Sequence, residues 1–469
     1  MTPDLIERFV AIVGSNNAIT DPDILSSYLI EQRGLYHGKT PLLLRPQSTQ
    51  QVSKLMQLAN ETKTAIVPQG GNTGLVGAQQ PDTSGNQIII SLARLNKIRS
   101  IDVEGNLILA EAGVILKNLQ EAADEANRLF PLSLGSEGSC QIGGNLSSNA
   151  GGTAVLSYGN SRELCLGVEV VLPDGRILDD LRQVKKDNSG YDLKDLFIGA
   201  EGTLGIITAA VLKLYPKPRG KAVAYVGVKS PFEALKLFTI AHDKASTMLT
   251  GFELMPRIGL EFTVDYNAKS RDPFSAPYPW YVLIDISSPH SDSEACQFIE
   301  DILSETFEKN IILDAVIASN KTQENEFWTM REEMSPAQKK QGGSIKHDIS
   351  VPVASIPDFI AEAGELVESL IPAARIVCFG HMGDGNLHYN ITQPIDMDRH
   401  EFLSKWADVN HHVHTLVMRY GGAFSAEHGI GQLKRQELIA FKSPVAIDLM
   451  RKIKLAFDPN GIMNPGKML

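Results

Sequence analysis

Pro68–Ala78 reads PQGGNTGLVGA, placing Gly70, Gly71, Gly74 and Gly77 directly after the apolar pair Ile66 and Val67. Such a pattern predicts a strand that runs into a loop. Successive glycine amides, free of Cβ atoms, can curl into a nest against which a diphosphate lies. The loop has neither the Lys-Ser/Thr ending of a Walker loop nor the G-x-G-x-x-G order of a Rossmann turn, so it fits neither template. Just upstream, Ser48 and Gln51 form a capping-box pattern, and Val52, Leu55, Met56 and Ala59 make one helical apolar face. A strand, helix, strand unit therefore ends on glycine. Two further stretches repeat the theme: Leu134–Gly152 (LGSEGSCQIGGNLSSNAGG) and Gly199–Thr208 (GAEGTLGIIT). Three such loops in the first half of the chain suggest a backbone wrapped around a large polyanionic cofactor.

A second constellation lies late in the chain. Phe379–His388 reads FGHMGDGNLH, and the β-branched, apolar runs Arg375–Gly380 and Leu387–Thr392 flank the turn Gly383, Asp384, Gly385. This is a hairpin signal. His381 and His388 then sit on facing strands near the turn, close enough to share a cation. Glu427 can supply a third ligand, leaving His428 unligated beside the metal as a base. Imidazole nitrogen with carboxylate oxygen suits zinc, and a catalytic site keeps one position open. His411, His412 and His414 form a rival group on a helix, where a solvated face is expected.

A chain of 469 residues, 43% apolar and 21% charged, calls for two or three domains rather than one core. Its net charge of −11 argues against nucleic acid or an anionic membrane as the main partner, so an anionic substrate needs local positive charge. No apolar run approaches roughly twenty residues, which removes a transmembrane helix. The N-terminal MTPDLIERFVAIVG resembles neither a signal nor a transit peptide, and Cys140, Cys165, Cys296 and Cys378 form no Cys-x-x-Cys pair. Free thiols in the cytoplasm are the expectation. From about Lys221 the pattern changes to strands at Ala222–Val228, Tyr281–Ser287 and Ile311–Ala318 alternating with helices at Phe232–His242 and Glu294–Phe307. That is expected to be an α+β domain whose helices cover one sheet face, closed by a helix over Thr322–Lys340. Glu401–Arg419 reads as another long helix.

PQGGNTGLVG, the GGN and NAGG elements of the second glycine stretch, GAEGTLGIIT, GHMGDGNLH, EHGIG and the terminal NPGK occur in the order seen in FAD-linked 2-hydroxy acid dehydrogenases of the vanillyl-alcohol oxidase fold superfamily, which the chain resembles from about Pro41 to Lys467. Within that family it is most similar to the D-2-hydroxyglutarate dehydrogenase group, then to FAD-linked D-lactate dehydrogenases and the glycolate oxidase flavoprotein subunit. The resemblance implies an α+β protein. A two-part FAD-binding domain at 1–218 is followed by a substrate or cap domain with an antiparallel sheet at 219–420. Residues 421–469 complete the active site and pack on the FAD domain.

The resemblance also carries residue roles. FAD contacts fall on Pro68, Gly70, Gly71, Asn72, Thr73, Gly74 and Gly77; on Gly135, Ser136, Gly138, Ser139, Gly143, Gly144, Asn145, Ser148, Gly151 and Gly152; and on Glu201, Gly202, Gly205, Ile206 and Asn464. The first loop holds no histidine, which implies non-covalent FAD. His381, His388 and Glu427 are implied as ligands of a divalent metal, zinc first, and His428 as the catalytic base. Substrate contacts fall on Arg331 (WTMREEMSP), on Ser335, where relatives often have threonine, on Lys346 (SIKHDISVP) and on Asn390. A 2-hydroxy acid can chelate the metal through its hydroxyl and carboxylate, lose its hydroxyl proton to His428 and pass the Cα hydride to the flavin. Arg331 and Lys346 can neutralise the two carboxylates of a dicarboxylate such as D-2-hydroxyglutarate or D-malate. The alternatives are a D-lactate or glycolate dehydrogenase, or a non-redox flavoprotein of alkylglycerone-phosphate synthase type. An electron-transfer flavoprotein or a quinone is the expected acceptor, and a homodimer is compatible with the composition.

Overall fold

The computed structural model describes residues 1–469 and divides into two compact units. The first gathers Met1–Gly152, Tyr158–Lys217 and Glu427–Leu469; the second gathers Thr153–Ser157 and Pro218–Ala426.

In the first unit, Leu43–Leu44 and Ile66–Gln69 both pair in parallel with Ile88–Ser91, and Ala18–Ile19 adds at the edge. A parallel pair needs a crossover, and the helix Thr49–Thr62 supplies it. Ser48 caps that helix by accepting the Gln51 amide at 3.2 Å, while the Gln51 side chain takes the Gln47 amide at 2.7 Å. Val52, Leu55, Met56 and Ala59 are buried against Ile66, Ile88 and Ile90. A separate antiparallel sheet runs in the spatial order Ile98–Asp102, Leu107–Glu111, Ile206–Lys213, Cys165–Val171, Ile177–Asp180. The C-terminal segment belongs here too: Asn464 donates its amide to the Ile66 carbonyl at 2.8 Å, and Phe457 meets Phe197 edge-on.

The second unit is built on seven antiparallel strands in the order Ile312–Ile317, Gly220–Val228, Trp280–Ser288, Leu249–Pro256, Arg375–His381, Asn386–Thr392, Ser344–Ser350. Alternation along a strand sends neighbours to opposite faces. Ala222, Ala224 and Val226 join one apolar cluster with the helices Pro231–Ala245, Asp292–Glu308 and Ile356–Leu370, while Val223 and Tyr225 join another with the helices Arg257–Tyr266 and Lys321–Glu332. Helices therefore cover both faces, not one as the sequence suggested. The helix expected over Thr322–Lys340 ends at Glu332 and resumes only as the short turns Met334–Ala337 and Gln338–Gln341. Pro336 lacks an amide proton and its ring opposes the carbonyl four residues back, which breaks the ladder there. The unit extends to Ala426 rather than 420, since Ala423 and Ser350 exchange amide and carbonyl at 2.8 and 2.9 Å.

Candidate active site

The three glycine segments converge within the first unit. A Cβ on Gly71 would stand 2.0 Å from the Ser139 carbonyl oxygen, so the first loop can lie on the second only with glycine there. Part of the second stretch is a helix, Ile142–Ser148, rather than a loop. Its start lies close to the sheet, where Gly143 donates to the Ala112 carbonyl at 2.7 Å. Together the segments wall one cavity. Of the expected FAD contacts, Pro68, Gly70, Gly71, Asn72, Thr73, Gly74, Gly143, Gly144, Asn145, Ser148, Glu201, Gly202, Gly205 and Ile206 line it, and so does His428.

Gly77, Gly135, Ser136, Gly138, Ser139, Gly151, Gly152 and Asn464 do not line this cavity. Gly77 packs on the Tyr36 ring, Ser139 closes a turn onto the Ser136 carbonyl, and Asn464 donates to the Ala78 and Glu201 carbonyls at 3.0 and 2.7 Å. These hold the loops together. Sequence reasoning missed Gln69, Gln79 and Gln141 in the wall. Gln69 Oε1, Gln141 Oε1 and Asn145 Oδ1 are buried without a protein partner. Orphaned polar atoms around a glycine-lined hollow fit a polar cofactor such as FAD.

Glu201 lines the cavity and also holds a second turn in place. Its oxygens accept the amides of Ile430 at 2.6 Å and Gly431 at 2.7 Å, directly after Glu427 and His428. Burial pushes its carboxyl upward despite these two amides and Lys434 nearby. Gly431 has φ +52°, and a Cβ there would meet the Val76 carbonyl at 2.2 Å, so the EHGIG turn can close on the first glycine loop only with glycine at that position. Glu427 Oε1 lies 3.7 Å from His428 Nε2.

In the second unit the hairpin is present: Arg375–His381 pairs with Asn386–Thr392 around a turn in which the His381 carbonyl accepts the amides of Asp384 and Gly385. His381 and His388 have ring centroids 5.7 Å apart. Register places Asp348 opposite His388 and Lys346 opposite Asn390. Lys346 donates to Ser335 Oγ at 2.8 Å, and Asn390 donates to Gln338 at 3.0 Å. Arg331, 6% exposed, stacks its guanidinium 4.9 Å from the Phe379 ring, which lies 5.1 Å from His388. All four expected substrate residues thus gather on the sheet face that carries the helix Lys321–Glu332.

Two acids there escaped sequence reasoning. Asp348 and His388 each offer a ligand atom within 4.8 Å of the other. The alternation in SIKHDIS could have revealed Asp348, since it shares a face with Lys346. Glu253, 1% exposed, accepts from Arg331 Nε at 2.5 Å and lies 2.6 Å from His381 Nδ1. Burial alone would raise its carboxyl, but Arg331 and His381 outweigh that and hold it at about 2. A cysteine-free set of imidazoles and carboxylates fits a hard or borderline divalent cation. The rival histidines differ from expectation in one respect: His414 is buried, its ring 5.3 Å from His347, rather than on a solvated face.

Comparison with known proteins agrees with this architecture. The FAD binding domain family matches residues 40–180, and the C-terminal domain of FAD linked oxidases matches 217–468. A mitochondrial D-2-hydroxyglutarate dehydrogenase of Danio rerio is 37% identical over 96% of this chain and 82% of its own length. That of Arabidopsis thaliana is 35% identical over 99% and 81%. The crystal structure of p-cresol methylhydroxylase with substrate bound superimposes with a TM-score of 0.78 at 18% identity, covering 99% of this chain and 96% of the other, which supports the α+β fold of vanillyl-alcohol oxidase type. The cytoplasmic expectation is overturned, because these relatives and the bovine one are named mitochondrial. The matching domains, the glycine cradle and the full-length relatives lead to one conclusion: the chain belongs to the FAD-linked oxidases and is an FAD-dependent oxidoreductase.

Proposed function

We propose that the protein oxidises D-2-hydroxyglutarate, or a related D-2-hydroxy acid such as D-malate, to the 2-oxo acid, with non-covalent FAD and a divalent cation, zinc first, held by His381, His388 and Glu427. The observation that carries this reading is the gathering of two cations, Arg331 and Lys346, beside the imidazoles of His381 and His388 on one sheet face. Two cations answer two carboxylates. The relatives named for this substrate support it.

When bound, FAD would accept the Cα hydride, and the cation would supply Lewis acidity at the hydroxyl oxygen. His428 takes the hydroxyl proton, as an imidazole can near neutral pH. Arg331 grips one carboxylate through its planar fork, Lys346 meets the other as a point charge, and Ser335 steadies the lysine. Asn390 and Asp348 complete the polar face. An electron-transfer flavoprotein or a quinone would be the final electron acceptor. Steady-state kinetics test the substrate class. The expected result is that kcat/KM for D-2-hydroxyglutarate exceeds that for D-lactate, and that Lys346→Met raises KM for the dicarboxylate alone. A preference for monocarboxylates contradicts the assignment.

A further inference from the structure

The strand Leu249–Pro256 (LTGFELMP) is buried throughout, and Glu253 is its single acid. Register places Glu253 directly opposite His381. Its two oxygens are divided between two partners: Oε2 receives Arg331 Nε at 2.5 Å, and Oε1 faces His381 Nδ1 at 2.6 Å. An ionised carboxylate only accepts, so the proton on a neutral His381 must sit on Nδ1, and the ring lone pair is left on Nε2. On the arginine, the bond to Nε leaves the Nη atoms for another anion, while Phe379 stacks against the guanidinium plane.

We propose that Glu253 is a positioning residue that sets two groups of the site at once: it fixes His381 in the Nδ1–H tautomer, making Nε2 the coordinating atom for a divalent cation, and it orients Arg331 toward a substrate carboxylate. One buried acid thereby ties the metal to the substrate clamp. This inference rests on the functional reading above. The physical reason for an acid is specific. A glutamine of the same shape can turn its amide N–H toward Nδ1, which moves the ring proton to Nε2 and closes that nitrogen to metal. It also offers one oxygen where two acceptors are needed.

The test uses the flavin-loaded protein stripped of metal and titrated with zinc against a chromophoric chelator. Glu253→Gln is expected to lose about 10- to 100-fold in zinc affinity and to raise KM for the dicarboxylate more than it lowers kcat. The double variant Glu253→Gln, Arg331→Met leaves no unpaired guanidinium and covers the case in which the single variant does not fold. It should bind zinc as weakly. Wild-type zinc affinity in whichever variant folds overturns the proposal. In unaltered protein, 15N-histidine spectra should show His381 protonated on Nδ1, and an Nε2–H tautomer overturns it as well. If wild type binds zinc no better than His388→Ala, the metal reading itself fails, a result distinct from failure of the role given to Glu253.

Discussion

Arg331 and Glu253 are each almost fully buried, and each is the other's counter-charge. Breaking such a pair from one side leaves an uncompensated charge in the interior, which costs about 3–5 kcal/mol. Arg331→Met should therefore lower the thermal midpoint as well as weaken substrate binding; a variant of unchanged stability would mean that Glu253 is compensated from elsewhere. Lys467 poses the opposite problem. Burial pushes its ammonium down to about 8, against the pull of Asp82 and with a further push from Arg435. Between about pH 8 and about 10.5 the unfolded chain holds a proton that the folded chain has released, so stability rises with pH in that window, by on the order of 3 kcal/mol. Below it both states are protonated and the folded state carries the full penalty. Wild type measured against Lys467→Met should thus gain in relative stability from pH 8 to 10.5, and parallel curves would contradict this. At this scale the sequence revealed what its motifs carry. Arg331, Lys346 and His428 stood in recognisable segments, whereas Glu253 is a lone acid in an apolar run, and only strand pairing shows that it faces His381.

At the scale of elements, glycine is the informative residue. A Cβ on Gly144 meets nothing within 4 Å, yet Gly144 lines the cavity shared by the three glycine segments. Gly144→Ala in the helix Ile142–Ser148 should therefore keep or raise the stability of the flavin-free protein, alanine being favoured over glycine by about 0.5–1 kcal/mol in a helix, while it lowers flavin content. A flavin-replete Gly144→Ala variant would contradict the cradle. Ser48→Ala, which removes a helix cap, should cost about 1 kcal/mol and leave flavin content unchanged. The hairpin 375–392 and the helix Thr49–Thr62 were legible because turn residues and apolar periodicity agree there. The strands Leu249–Pro256 and Ser344–Ser350 were not. The first is buried on both faces and shows no alternation, and the second follows a glycine pair that reads as a loop. The helical form of Ile142–Ser148 was hidden by Gly143 and Gly144, of which Gly143 is required by close contact with Ala112.

At the scale of the whole molecule, the first unit contains the glycine cradle with His428 in its wall, and the second, taken by itself, contains Arg331, Lys346, His381 and His388. Against the net charge of −11, an anionic substrate depends on the local charges of Arg331 and Lys346, which Glu253 and Asp348 partly offset until a cation is bound. The central claim is metal-assisted oxidation of a D-2-hydroxy acid with FAD as acceptor and His428 as base. The most direct measurement follows flavin absorbance under argon while D and L hydroxy acids are added to the metal-loaded protein. D-2-hydroxyglutarate should bleach the flavin; its L enantiomer should not, and chelator-treated protein or His428→Ala should react slower by about 10²- to 10⁴-fold. Equal bleaching with and without metal, or none with any 2-hydroxy acid, would contradict the account.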